Sequence, residues 1–302
     1  MSFWFVIINP ASGNNFVKKQ KNKVLGLLQN LDKPYKLFFT KHSGHEEELV
    51  LAGLKDGFRN FISVGGDGTI HHVMNGVMKQ TECAHNEVTI GIIPVGTGND
   101  WIKNNGIPKN ITKAIEILNS YKTTTLDIGK LIHQDKITYF NILTGIGYDG
   151  YVVDKVVKYK GFGKAAYLIA SLIGFAKYKN SIIKYQFNDQ EIITESLMAI
   201  VGIGKYCGSG MLLTKDVDHQ DGLFDISLVK NISVLKLFLN VKKMYNGKLT
   251  TMKEIETYKT KKIKVEIIKG PIPFIESDGE LIGSGNFEVE MMPLALRFVV
   301  NK

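Results

Sequence analysis

Over the first 120 residues, short apolar runs alternate with stretches of helical spacing, and this alternation constrains the fold more than any other feature. Phe3-Trp-Phe-Val-Ile-Ile8 is continuously apolar, as a strand buried on both faces must be. Residues 35–39, 61–64 and 88–93 read as three further strands. Helical patterns lie between and after them, at 16–31, 46–55, 70–78 and 111–119; the first has Val17, Val24, Leu27, Leu28 and Leu31 in one stripe. Such alternation predicts a doubly wound α/β domain with its ligands at the carboxyl ends of the strands. That rim carries residues 9–15, Thr40, residues 65–69 and residues 96–100.

Three of these rim loops are unusual. Residues 64–76 read VGGDGTIHHVMNG, residues 9–15 read NPASGNN and residues 94–100 read PVGTGND. A glycine turn between a strand and a helix can hold an anion on backbone N–H groups and the helix N-terminus. The same residues also suit a plain tight turn, with glycine at positive φ and Asp67 or Thr69 capping the helix. A capping turn needs one or two special residues, whereas Gly65, Gly66, Asp67, Gly68 and Thr69 stand in a row. Neither the Walker loop nor the dinucleotide G-x-G-x-x-G pattern is present.

From about residue 125 the texture changes to β-branched alternation, at 137–144, 182–187, 196–203, 224–229, 261–268 and 287–291. This predicts an antiparallel β-rich second domain with inserted helices at 165–178 and 234–245. The expected division is 1–126 and 127–302, with the last strand, about 294–302, free to return to the first domain. A length of 302 residues accommodates two cores. Cys83 and Cys207 form no disulfide framework or metal-ligand spacing, and no basic leader precedes the first strand. The longest apolar run, AAYLIASLIGFA at 165–176, is too short to span a bilayer. A cytoplasmic protein, at most peripheral to the inner face of the membrane, is expected. The formal charge is +9, and residues 236–269 hold ten lysines against three glutamates. Attraction to an acidic partner follows; the chain carries no recognisable nucleic-acid motif, and nucleic acid and anionic lipid headgroups both stay open on charge alone.

The motifs together resemble the diacylglycerol kinase catalytic-domain family, which also contains sphingosine and ceramide kinases and bacterial lipid kinases. NPASG after the first strand, GGDGT after the third, GTGND after the fourth, Asp221-Gly-Leu-Phe-Asp225 and Ser277-Asp-Gly-Glu280 occur in the family's order. The resemblance implies ATP-dependent phosphorylation of a lipid hydroxyl, diacylglycerol giving phosphatidic acid, in a cleft between an α/β nucleotide domain and a β-sandwich-like domain. Its nucleotide contacts carry over to Asn9, Pro10, Ser12, Gly13, Thr40, Gly65, Gly66, Asp67, Gly68, Thr69, Ile70, His71 and Thr97. Asp67 would hold Mg²⁺ on the phosphates or orient the acceptor, and Glu280 would be the general base, with Asp278 near enough to share that role. A further Mg²⁺ would take the Asp221 side chain and the carbonyls of Asp218 and Leu223. ATP and Mg²⁺ are thus the implied cofactors and a membrane-surface lipid the implied partner; a homodimer is left open.

One departure stands out: His71-His72 replaces the Asn-Glu of many members, removing an acidic group. The rival readings are a kinase for another lipid alcohol or a sphingoid base, an NAD kinase, and a non-catalytic nucleotide- or lipid-binding regulator. The presence of Asp67 and Glu280 argues against the last.

Overall fold

The computed structural model describes residues 3–96, 98–155, 171 and 173–301. The chain divides into two compact units, Met1–Ile128 with Pro293–Lys302, and Gly129–Met292. In the first lie strands β1 (Trp4–Ile8), β2 (Tyr35–Phe39), β3 (Asn60–Gly65) and β4 (Thr89–Pro94). Its helices are α1 (Ser12–Lys19), α2 (Lys21–Leu28), α3 (His45–Lys55), α4 (Asp67–Lys79), α5 (Asp100–Asn104) and α6 (Ile111–Ser120). The strands are parallel in the order β2, β1, β3, β4. Every residue of β1 is buried because both faces of the sheet are covered. Trp4, Val6 and Ile8 face Val17, Val24 and Leu28 of the first two helices and Ile115 and Leu118 of α6. Phe5, on the opposite face, stacks on Phe38 at 4.2 Å and packs with Phe58 and Phe61. Each such side chain contributes about 1.5–3 kcal/mol through burial.

The second unit is antiparallel. It holds β6 (Lys136–Phe140), β7 (Leu143–Gly147), α7 (Tyr148–Lys155), β8 (Ser181–Phe187), β9 (Gln190–Gly202), β10 (Phe224–Lys230) and α8 (Val234–Tyr245). After these come β11 (Ile255–Thr260), β12 (Lys262–Lys269), β13 (Phe274–Ser277) and β14 (Glu280–Ser284). Strands pair in the order β14, β13, β7, β9, β8, β12, and β10 pairs with both β9 and β11. In β8 buried and half-buried residues alternate strictly, the period expected of a strand with one face on a core. That core gathers Phe140, Tyr185, Phe224, Ile226, Val265 and Val289 among others. Two strands belong to both units: β5 (Thr123–His133) and β15 (Phe287–Val299). Residues 262–265 of β12 pair antiparallel with the start of β15, while Arg297 and Phe298 at its end pair parallel with Thr89 and Ile90 of β4.

Several boundaries differ from those the sequence suggests. The helix expected at 16–31 begins at Ser12 and is broken at Gln20, whose backbone (φ −117°, ψ 28°) leaves the helical region. The expected strand 137–144 is two strands, because Asn141 and Ile142 turn their N–H groups to a side chain described below. The expected strands at 287–291 and about 294–302 are one, with Leu294 at φ 46° and its N–H held by Asp127 Oδ1 at 2.7 Å. Half of the helix expected at 165–178 lies outside the described residues; residues 171 and 173–177 are helical.

Candidate functional site

The rim loops of the first unit converge by contact, which gives their glycines a reason beyond turn geometry. Gly66 and Gly96 lie face to face, and a Cβ on Gly96 would collide with the Gly66 Cα. Gly13, at φ 63°, lies so close to the Val95 carbonyl that no side chain fits there. The loops are also clasped by polar groups. Asp67 Oδ2 accepts from the Asp100 N–H at 3.0 Å and Oδ1 from the Trp101 N–H at 3.1 Å. Asp67 therefore caps α5, not the helix it opens, and ties the GGDGT loop to the GTGND loop. Asn9 Nδ2 donates to Thr69 Oγ1 at 3.2 Å and Glu46 Oε1 at 3.3 Å, and its Oδ1 accepts from the Ala11 N–H at 2.9 Å. Ser12 Oγ lies 3.4 Å from Thr69 Oγ1, completing the join between NPASG and GGDGT. Helix α4 starts at Asp67, three residues before the predicted start, so Gly66, Asp67 and Gly68 occupy its amino end. That end is suited to an anion.

The other predicted rim residues are placed as follows. Thr40 is buried at the end of β2, its N–H on the Ile8 carbonyl at 2.9 Å. Pro10 accepts from the Lys18 N–H through its carbonyl at 3.3 Å. Ile70 is a core residue, and its N–H closes the first helical turn on the Gly66 carbonyl, leaving it a packing role. His71 is buried with Nε2 3.3 Å from Asn75 Nδ2, so its ring faces the next turn of its own helix. His72 Nδ1 lies 3.3 Å from Glu47 Oε1, which brings a carboxylate from α3 to the position where the sequence lost one. Thr97 lies outside the described residues.

In the second unit, Asp278 (φ 50°) and Gly279 (φ 86°) form the two-residue turn between β13 and β14. Positive φ at both positions is the type I′ requirement, which Asp-Gly meets at little cost. Asp278 is occupied by the fold: its carboxylate accepts from the N–H groups of Asn141, Ile142 and Leu143 at 3.1, 2.9 and 3.1 Å. Buried Glu276 accepts from the Gly279 N–H at 2.8 Å and fixes the same turn from below. Glu280 alone of the three carboxylates is exposed.

The loop before β10 carries Asp216, Asp218, Asp221 and Asp225. Asp218 Oδ1 accepts from the Gln220 N–H at 3.0 Å, and Asp221 Oδ1 from the Leu223 N–H at 2.9 Å. The other Asp221 oxygen is 2.9 Å from Lys259 Nζ, which also contacts Asp225 Oδ2 at 3.2 Å and the Asp216 carbonyl at 3.2 Å. Burial pushes the Asp225 carboxyl up to about 6, an effect that Lys259 partly offsets. The expected divalent ion on Asp218, Asp221 and Leu223 does not fit this arrangement, because both Asp221 oxygens are already committed and an ammonium stands beside them. Two unit charges 4 Å apart at an effective dielectric near 20 interact by about 4 kcal/mol, and a dication doubles the repulsion.

Further acids removed from solvent lie outside the motifs. Asp127, 1% exposed, holds the turn of β15. Glu46, 1% exposed, supports Asn9, and burial raises its pKa. Asp149, a half-buried residue of α7, has both carboxylate oxygens buried with no hydrogen-bond partner among the described residues, and burial pushes its pKa up to about 7. The only sequence signal is an acid inside an otherwise apolar pattern, as in Leu126-Asp-Ile128.

Comparison with known proteins assigns the chain. The diacylglycerol kinase catalytic domain matches residues 3–131, and the YegS C-terminal NAD kinase beta sandwich-like domain matches residues 143–300. The Bacillus subtilis (strain 168) protein named "Putative lipid kinase YtlR" is 28% identical over 98% of this chain and 99% of its own length. A diacylglycerol kinase of Mycobacterium tuberculosis (strain ATCC 25618 / H37Rv) is 25% identical over 96% of this chain and 93% of its own. The crystal structure of a diacylglycerol kinase from Bacillus anthracis str. Sterne superposes with a TM-score of 0.74 at 20% identity, covering 99% of this chain and 97% of that one; this likeness shows the fold. The chain belongs to the diacylglycerol kinase catalytic-domain family of lipid kinases. Among the described residues no helix is long and apolar enough to cross a membrane.

Proposed function

We propose that this kinase transfers the γ-phosphate of ATP, taken up as its magnesium complex, to the hydroxyl of a lipid alcohol, with diacylglycerol the favoured acceptor and phosphatidic acid the product. The observation that carries this reading is the clasped rim of the first unit, where three glycine-tight loops meet at the amino end of α4. Phosphoryl transfer depends mainly on positioning and charge neutralisation, and loops locked to one another supply the first. In this reading the backbone of Gly13, Gly65, Gly66 and Gly68 approaches the phosphates, with the hydroxyls of Ser12, Thr40 and Thr69 and the amide of Asn9 fixing the rim. Asp67 acts through the clasp, holding the GTGND loop in register. Glu280, exposed beside a turn that Asp278 and Glu276 anchor, takes the proton of the attacking hydroxyl.

The test is incubation of the full chain with γ-labelled ATP and separate vesicle preparations of diacylglycerol, a sphingoid base and a monoacylglycerol, followed by separation of the lipids. Label in phosphatidic acid is expected, falling at least about a hundredfold in Glu280→Ala, as for loss of a general base. Label confined to another lipid reassigns the acceptor. An active Glu280→Ala enzyme removes that residue from the chemistry.

A further inference from the structure

We infer that the Lys259 ammonium is the resident cation of the 216–225 loop, so that the second unit holds its shape without a divalent ion. This goes beyond the kinase reading and does not depend on it. The loop carries four aspartates within ten residues, Asp216, Asp218, Asp221 and Asp225; three are exposed, and the buried one, Asp225, needs a positive partner to hold its charge. Lys259 supplies that charge through three contacts on three different residues, to Asp221 Oδ2, Asp225 Oδ2 and the Asp216 carbonyl. An ammonium has three N–H donors, and here each finds an oxygen.

The placement is built into the fold. Lys259 on β11 stands directly opposite Asp225 on β10, in a ladder whose register runs unbroken from Phe224↔Thr260 to Val229↔Ile255. The same β11 end is fixed laterally by Thr260, whose hydroxyl donates to Asn188 Oδ1 at 2.8 Å. The ammonium, at the surface, therefore reaches the loop from a pinned strand. Asp225 is buried, with 6% of its side chain exposed, so loss of its partner leaves an uncompensated acid inside the unit. The loop backbone is closed independently by Asp218 on Gln220 and Asp221 on Leu223, so these carboxylates keep their places once the ammonium is gone. Oxygen donors of this kind suit a hard divalent cation. Removal of Lys259 is thus expected to convert an ammonium site into a metal site.

The experiment measures thermal unfolding of the full chain without nucleotide, in chelator and in Mg²⁺, together with Mn²⁺ binding followed by electron paramagnetic resonance. The wild type is expected to melt at the same temperature in both buffers and to show no Mn²⁺ site that Asp221→Asn removes. Lys259→Met is expected to melt roughly 5–10 °C lower in chelator, to recover part of that in Mg²⁺, and to gain one Mn²⁺ site that Asp221→Asn abolishes. If Lys259→Met does not fold, Lys259→Gln combined with Asp225→Asn leaves no buried unpaired charge and carries the same Mn²⁺ readout. A wild-type stabilisation by Mg²⁺ that Asp221→Asn abolishes would overturn the inference. So would a Lys259 variant that neither gains Mn²⁺ nor responds to Mg²⁺, since Lys259 would then be an ordinary ion pair.

Discussion

Asp149 is a residue whose ionisation the fold alters strongly. Its oxygens are buried in the second unit, and the charge it would carry disturbs Tyr178 and Tyr185 nearby. The amides of Asp149 and Gly150, outside good hydrogen-bond geometry, offset the burial only in part. The folded pKa of about 7 stands above the ordinary 3.8, so the folded state binds this proton more tightly than the unfolded chain. The stability contribution is therefore complete below about pH 4 and is lost as pH rises through 7. At about 1.4 kcal/mol per unit this amounts to a few kcal/mol. Asp149→Asn should flatten the fall in melting temperature between pH 5 and pH 8 and should be the more stable protein at pH 8. Parallel wild-type and variant curves across that range would show that the carboxyl ionises without cost. At this scale the sequence conveyed identity but not environment. Asp278 and Glu280 stand two positions apart in one motif, yet one accepts three backbone N–H groups and the other is exposed.

The rim loops act as elements because they touch one another. Gly96→Ala would drive a methyl into Gly66, so the GTGND loop must shift by a sizeable fraction of an ångström. A misplacement of 1 Å costs on the order of a hundredfold in rate. The expected result is a folded protein with raised nucleotide KM and reduced kcat. Gly26→Ala is the matched control: it lies within α2 with nothing near its Cβ position, and should stabilise by about 0.5–1 kcal/mol with kinetics unchanged. Equal effects of the two changes would refute loop contact as the reason for the glycine. The parallel strands were legible because burial on both faces leaves an unbroken apolar run, as in β1. The start of α4 was not, since Asp67, Gly68 and Thr69 are poor helix formers that its first turn nonetheless accepts. Nor was the polar half of β9: residues 190–195 are mostly exposed, only Ile192 and Ile193 among them are apolar, and pairing with β8 defines them. The Lys259 contact lay beyond any local pattern, because it depends on the register of β10 with β11.

At the scale of the whole molecule, the positive charge is less available than its count suggests. Of the ten lysines at 236–269, Lys236 pairs with Glu254, Lys259 with Asp221 and Asp225, Lys262 with Glu288 and Glu290, and Lys264 with Glu266. Among the other six, Lys242 on α8 is exposed beside Leu239 and Tyr245, which are 70% and 53% exposed. We propose that this patch docks on an anionic leaflet, each lysine near the surface adding about 1 kcal/mol. Co-sedimentation should rise with anionic lipid content, fall with salt, and weaken in Leu239→Asp with Lys242→Glu. Negligible binding at low salt to neutral and anionic vesicles alike would exclude docking through this face.

The course of β15 orders events in time as well as in space. Synthesis begins at the amino end, so β4 leaves the ribosome with one edge bare, and its partner there, Arg297 and Phe298, follows only after every residue of the second unit. A bare edge strand invites wrong pairing. Domains made in series usually fold in the order of their synthesis. Here the inserted unit is complete first, and the frame that carries it closes last.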